Sequence, residues 1–479
     1  MTHSATGKPT LRGVNATAAS FVQQSAALFH QGLVAETIAA CQAGLQAHPD
    51  SLDLHNNLLF AMAHSTEVNP AELAAAHRRF GDTFEAGLRA QWPVHGNERD
   101  AERVLRIGFL SGDFNAHAVT SFVLPLLFHL HKSPGLSLHA YYNNSVQDHG
   151  TQGLKACLPH WNQVEKLSDQ ALAQKIQDDG IDILIDLSGH TARNRLLALA
   201  RKPAPVQASW IGYPGTTGLQ AVDYYITDAY FTPPEMDAQF TEALARVPAA
   251  LPFLPASDAP AVNALPALKN GHITFGSFNR TAKLNEAVVA LWSRLMLAVP
   301  GSRILVAGIQ SEDSMLRLRG WFAQNGVGKE RIVFRGNTGV KEYIAMHGEV
   351  DLCLDTFPYA GGTTTMHALW MGVPQLTLAG QTVAGRGSAA ILQQMKLDAF
   401  VARSADDFVE KGRYIAGNLE LLAALRGGMR QLMSQSYIGQ YALLAAGLEG
   451  ALRTMWQRWC DGLAPASFEI EYCAADGAA

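Results

Sequence analysis

The run from Asp351 to Gly372, DLCLDTFPYAGGTTTMHALWMG, reads as a strand, a glycine turn and a helix start, in that order. Val350, Leu352 and Leu354 alternate as in a half-buried strand, and Asp355-Thr356-Phe357-Pro358 ends it because proline cannot donate to a ladder. Gly361 and Gly362 permit positive φ and close backbone approach, while Thr363, Thr364 and Thr365 can cap a helix carrying Met366, Leu369 and Trp370. Amides, hydroxyls and a helix dipole then converge on one point, which suits an anion such as a nucleotide diphosphate. A Gly/Thr turn also joins strand to helix with no ligand at all. The flanking sequence has to decide between the two.

On both sides of this run, strands and helices alternate. Upstream, Val104–Leu110, Leu136–Tyr142, Ile181–Leu187, Val206–Tyr213 and Asp223–Asp228 are short β-branched or aromatic runs, separated by helical stretches such as Ser121–His131 and Asp169–Asp179. The Pro/Ala-rich passage Pro248–Asn270 reads as an interdomain linker. The alternation restarts with His272–Asn279, Ser302–Gly308, Arg331–Gly336, Val350–Asp355, Pro374–Gly380 and Ala399–Ala402, and a long helical region, Leu419–Trp459, precedes a small-residue tail. This pattern predicts an α/β protein with two Rossmann-like halves on parallel sheets, binding ligands in the cleft outside the carboxyl ends of the strands. Ahead of them, Thr17–Arg89 is helical by pattern. Its core, HQGLVAETIAACQAGLQAHPDSLDLHNNLLFAM, resembles about one tetratricopeptide repeat, with small residues at packing positions, a glycine at the first turn and a proline after the second helix. The expected division is 1–98 helical, 99–258 first Rossmann-like domain, 259–460 second domain with its closing helix, and 461–479 tail.

Composition narrows the function classes. The 479 residues are 48% apolar, enough for several cores, and 37 Lys+Arg against 42 Asp+Glu give a net charge of −5, unlike an electrostatic nucleic-acid binder. Cys41, Cys157, Cys353, Cys460 and Cys473 are odd in number and lack CxxC spacing, which argues against a disulfide framework or zinc site and for a reducing cytoplasm. The N-terminus has no apolar signal core, and no run reaches the ~18 apolar residues that span a bilayer.

Residues with usable chemistry fall at strand ends. Asp113 and His117 lie in SGDFNAHAVTSF after the first strand, where His117 can serve as general base or hydrogen-bond donor. DLSGHTARN brings His190 and Arg193 to the same edge, and IGYPGTTG offers rigid turn chemistry with backbone donors. FGSFNRTAKLN opens the second domain with Asn279, Arg280 and Lys283 after a strand, so a cation can reach a diphosphate. There is no GxGxxG, no GxxxxGK[ST], no metal-ligand cluster and no DxD pair beside the cleft motifs. Neutralisation of a diphosphate by lysine, threonine hydroxyls and a helix N-terminus, without metal, is the economical reading.

In this order SGDFNAHAV, SGHTARN, KPAPVQASWIGYPGTTG, DYYITD, FGSFNRTAK and DLCLDTFPYAGGTTTMHALWMGVPQLTL closely resemble the motifs of O-linked N-acetylglucosamine transferases, from about Arg103 to Trp459. The resemblance implies a GT-B fold, two Rossmann-like domains facing a cleft, behind a tetratricopeptide-like segment. It also implies inverting, metal-independent transfer of a sugar, GlcNAc from UDP-GlcNAc foremost, to Ser or Thr hydroxyls of a protein or peptide acceptor. By the same resemblance His117 matches the active-site histidine and Lys283 the lysine that neutralises the diphosphate. Gly212, Tyr213 and Pro214 fall on the loop lining the sugar pocket, Thr363 and Thr364, after Gly362, on the phosphate-binding threonines, and Lys341 and Tyr343 near the uracil-contacting segment. The chain departs from the family at three points: His367 replaces an acidic ribose partner, Arg280 and Ala282 replace glutamine and tyrosine, and the repeat array is nearly absent. A related transferase using UDP-glucose or GDP-fucose on a bacterial surface or flagellar protein, and a nucleotide-sugar-binding module with little turnover, are the alternatives.

Overall fold

The computed structural model describes residues 17–470; the last nine residues of the expected tail, Cys473 among them, lie outside them. Four helices come first: α1 (Ala18–His30), α2 (Val34–Ala47), α3 (Leu52–Met62) and α4 (Pro70–Phe84). Thr17 caps α1 through its side chain, and α4 opens with a capping box between Asn69 and Glu72 with Pro70 at its first position. The small residue on the apolar stripe of α1, Ser25, is fully buried and accepts a hydrogen bond from Asn57 of α3 at 3.0 Å.

The first sheet holds β1 (Leu105–Ser111), β2 (Leu136–Tyr142), β3 (His160–Gln163), β4 (Ile183–Asp186), β5 (Val206–Ser209), β6 (Tyr224–Thr227) and β7 (Ala243–Arg246). The second holds β8 (Thr274–Ser277), β9 (Arg303–Ala307), β10 (Ile332–Arg335), β11 (Leu352–Leu354), β12 (Gln375–Leu378) and β13 (Val401–Ala402). A last strand, β14 (Phe468–Glu469), returns to the edge of the first sheet. The orders are β14-β7-β6-β5-β4-β1-β2-β3 and β10-β9-β8-β11-β12-β13, with every pairing parallel. Parallel sheets need both faces covered, and the burial follows: β4, β5 and β6 are buried at every residue.

Two segments behave differently from the sequence expectation. Pro248–Asn270 is packed rather than loose: Phe253, Leu265 and Ala267 enter the core, and the short helix Pro266–Asn270 is tied by the Ala267 amide to Asp351 at 2.8 Å. Buried Arg426 donates to the Asn263 and Val350 carbonyls, each at 2.8 Å, so one guanidinium fastens this passage to the second sheet. The long helical region breaks at Ser436–Gln440. Helix Leu419–Gln435 packs in the second lobe, while Tyr441–Cys460 crosses back and buries Leu448, Leu452, Met455 and Trp456 in the cluster that holds β1 and β2. Arg453 completes the crossing by donating to the Arg103 and Gly135 carbonyls at 2.7 and 2.6 Å.

Candidate functional site

The turn after β11 is held by one carboxylate. Asp355 is buried; its Oδ1 accepts the Gly361 amide at 2.8 Å and its Oδ2 the Thr377 hydroxyl at 2.7 Å. Thr365 and Ser388 bond at 2.7 Å beneath the turn, and a side chain at Gly361 would collide with both hydroxyls. Helix Thr363–Trp370 starts at Gly362 with no side-chain cap, so the amides of Thr363, Thr364 and Thr365 find no acceptor among the described residues. Nothing lies within 4 Å of the position a Cβ would take at Gly362. These are the elements of an anion site: oriented donors, a positive helix end and open approach.

Lys283 belongs to the same constellation. It ends the short 3-10 turn Thr281–Lys283 that follows β8, and its ammonium donates to the Ala360 carbonyl at 2.6 Å and lies 4.6 Å from the centroid of the Tyr359 ring. Burial, with repulsion from Arg280, lowers the Lys283 ammonium to about 7, and Asp355 opposes the shift. Asn279 is buried and accepts from the Thr364 hydroxyl at 3.3 Å. Arg280 is exposed beside it. Asn279, Lys283, Gly362, Thr363 and Thr364 therefore meet at one turn, although about 80 residues of sequence separate the two groups.

One helical turn further, His367 leaves the anion end and enters an aromatic cluster. Its Nδ1 lies 3.3 Å from the Tyr343 hydroxyl and its ring packs against Phe253 and Tyr343. Burial lowers His367 to about 4, so the ring is neutral at physiological pH. Lys341, on the helix Val340–Met346 that carries Tyr343, is exposed and has no hydrogen bond or ion pair among the described residues.

In the first lobe His117 is the N-cap of α5 (Ala118–Leu130), at the carboxyl end of β1. Its Nδ1 accepts the Val119 amide at 3.3 Å and stands 3.7 Å from Asp113 Oδ2. A nitrogen that accepts carries no proton, so this bond assigns the proton of the neutral ring to Nε2. Asp113 is mostly buried, which raises its carboxyl; the charges of His117 and Arg193 pull the other way.

The loop expected to line the sugar pocket is tied to the helices instead of hanging free. Tyr213 is 2% exposed; its hydroxyl sits 2.9 Å from His77 Nε2 of α4, and its ring meets His77, His190 and Phe60. The Tyr213 side chain is thus buried against α3 and α4, leaving the backbone of Gly212–Pro214 as the part able to meet a ligand. Gly212 is packed on Leu187 so closely that a Cβ would overlap the Leu187 carbonyl. His190 bridges Asn56 of α3 and the Thr217 carbonyl at 2.8 and 2.9 Å, and burial keeps it neutral. It is a structural histidine rather than a cleft residue.

Sequence reasoning passed over three members of this region: Asp355, used only as a strand terminator, and Tyr359 and His64. His64 stacks on Tyr359 with centroids 4.0 Å apart and planes at 22°. Phe60 touches Tyr359 at 6.1 Å and Tyr213 at 6.3 Å, so the loops after β5 and β11 converge on one ring of α3. Asp355 and Tyr359 lie inside the motif beginning at Asp351, whereas His64 carried no sequence signal. A separate cavity of about 590 Å³ lies at the amino ends of β8 and β9, lined by Lys269, His272, Arg303 and Arg335 among others. It also takes in Leu305 and Val333 and shares no residue with the constellation above. Among the described residues no group of three or more side chains could hold a metal ion, and no helix is long and apolar enough to cross a membrane.

The chain is 36% identical over 441 residues to a barley (Hordeum vulgare) protein named probable UDP-N-acetylglucosamine–peptide N-acetylglucosaminyltransferase SPINDLY, covering 90% of this chain and 46% of that one. The Arabidopsis thaliana protein of the same name is 35% identical over 435 residues, covering 88% and 47%. The chain thus spans about half the length of the curated relatives it matches. A solved structure of a Thermobaculum terrenum O-GlcNAc transferase point mutant superposes with a TM-score of 0.87 at 32% identity, covering 93% of this chain and 85% of that one, and the fold is GT-B. The model of glycosyl transferase family 41 matches residues 45–254 and 262–443. The chain belongs to glycosyl transferase family 41.

Proposed function

We propose that this chain transfers a sugar from a UDP-sugar, UDP-GlcNAc foremost, to a Ser or Thr hydroxyl of a protein, with inversion and without a metal ion. The observation that carries the reading is the meeting of buried Lys283 with the uncapped helix at Thr363. In the reaction the acceptor oxygen bonds to the anomeric carbon from the face opposite the diphosphate, the bond from that carbon to the diphosphate oxygen breaks, and the acceptor proton passes to a diphosphate oxygen, directly or through water. Charge therefore grows on the diphosphate. Lys283, the hydroxyls of Thr363 and Thr364 and the first-turn amides are donors suited to receive it, and such prepositioned donors supply much of the rate in group transfer. His117, with its proton on Nε2, donates to an oxygen of sugar or acceptor and orients it. A base role requires the proton to move to Nδ1, toward Asp113. The relatives named for UDP-GlcNAc support the choice of donor.

A guanine or glucose donor is the second reading, kept open by one departure from the family: neutral His367 takes the place where the resemblance expects an acidic ribose partner. Thermal shift and nucleotide release with UDP-GlcNAc, UDP-glucose and GDP-fucose, each in EDTA with a protein lysate as acceptor, separate the cases. UDP-GlcNAc should stabilise most and release UDP. Greater stabilisation by GDP-fucose overturns the donor assignment, and stabilisation by UDP-GlcNAc without turnover overturns the enzymatic one.

A further inference from the structure

The helices α1–α4 reach the donor turn from two directions. Gly32, at the corner between α1 and α2 with φ +76, lies so near the turn Thr281–Lys283 that a Cβ there would come within 2.8 Å of the Thr281 carbonyl oxygen. Arg317 of the second lobe donates to the Gln31 carbonyl at the same corner. One flank of the turn that carries Lys283 is thus set by the helical segment.

The other contact passes through an aromatic ring. His64, two residues past the end of α3, stacks on Tyr359, and the Lys283 ammonium lies 4.6 Å from the centre of that ring. His64 Nδ1 donates to the Phe60 carbonyl at 2.8 Å, which leaves the lone pair on Nε2, buried and without a partner among the described residues. Burial, reinforced by the charges of Lys283 and Arg280, holds the imidazole well below its usual range and so neutral. An uncharged ring supports the tyrosine without repelling the lysine beyond it. Tyr359 for its part offers a π face to a cation that is otherwise bonded to the Ala360 carbonyl.

We infer that the helical segment is a positioning element of the donor site: His64, acting through Tyr359, fixes the Lys283 ammonium against the turn at Ala360–Thr363. The inference rests on reading Lys283 as the diphosphate cation, and it assigns α1–α4 a task at the donor site. Lys283 and Tyr359 both belong to the second lobe, yet the ring stacked behind Tyr359 comes from a residue 219 positions before Lys283.

The test compares His64→Leu, which fills the volume without an aromatic face, with His64→Phe, which keeps the stack. Dissociation constants for UDP and for UMP, which lacks one phosphate, are measured on the full chain at pH 7, with thermal unfolding as a check on folding. His64→Leu should weaken UDP about fivefold or more while changing UMP less than about twofold, and His64→Phe should restore UDP binding to within about twofold of the parent. Equal losses on UDP and UMP, an unaffected UDP constant, or a His64→Phe as weak as His64→Leu overturns the inference. Lys283→Ala, run in parallel, keeps the two claims apart. If it leaves the UDP-to-UMP ratio unchanged, the diphosphate reading itself fails; if it collapses the ratio and His64→Leu does not, only the positioning role fails.

Discussion

Replacing Lys283 by methionine removes a charge while nearly keeping the volume it fills. Burial and the neighbouring Arg280 bring the Lys283 ammonium to about 7, against about 10.4 for a free lysine, so the empty site disfavours the charged form by roughly 5 kcal/mol. For a lysine lowered in this way, the unfolded chain keeps its proton up to about pH 10 while the folded chain loses it above about 7. Stability of the free protein should therefore rise with pH across that window and be flat below it. A bound diphosphate reverses the preference, because two anionic groups favour the ammonium. Binding at pH 8 should then draw in about 0.9 proton, and the UDP dissociation constant should rise about tenfold per pH unit from about 7 toward 10. Calorimetric titration of UDP at pH 8 in two buffers of different ionisation enthalpy measures the uptake, and titrations at pH 7, 8 and 9 measure the slope. Lys283→Met should lose the uptake, the slope and the stability rise together. Uptake near zero in the parent, or uptake unchanged in Lys283→Met, refutes the argument.

Other expectations follow from the same geometry. His117→Ala should lower transfer at least about 100-fold with the fold intact, while Asp113→Asn should stay within about threefold if His117 orients through Nε2–H; a large loss in Asp113→Asn would show instead that Nδ1–H on Asp113 and a basic Nε2 drive the step. His367→Asp places a carboxylate where the family resemblance expects the ribose partner and should tighten UDP about threefold by titration; no change would separate residue 367 from the ribose. Gly212→Ala forces a Cβ into the Leu187 carbonyl and should cost about 2–4 kcal/mol in denaturant unfolding. Prolonged EDTA treatment should leave turnover unchanged, and loss restored by Mg²⁺ would contradict metal-independent chemistry.

The strands that could be read from sequence are those whose burial writes itself into composition. Leu136–Tyr142 is an observed strand residue for residue, because its apolar alternation continues to both ends. β3 (HWNQ) and β7 (ALAR) escaped notice: β3 is a partly exposed edge, and β7 has no β-branched residue. The glycine–threonine turn was legible because Gly361, Gly362 and Thr363–Thr365 carry their backbone chemistry locally, and Lys283 because it stands just after a strand of its own. What surrounds it was not. Tyr213 is paired with His77 and Tyr359 with His64, contacts between residues 136 and 295 positions apart, and no local pattern encodes such pairings. For the same reason the crossing of Tyr441–Cys460 onto the first sheet was hidden, since an amphipathic helix does not name the face that will cover it.

We propose that Lys283 and the Thr363 turn stabilise a departing nucleotide diphosphate. The most direct measurement of this role is incorporation of labelled GlcNAc from UDP-GlcNAc into Ser/Thr-containing protein acceptors, with UDP release followed in the same tubes, for the parent chain and Lys283→Ala. Stoichiometric incorporation and UDP release are expected in the parent, with a loss of at least about 100-fold in Lys283→Ala. Incorporation by Lys283→Ala at the parent rate would contradict the proposed role.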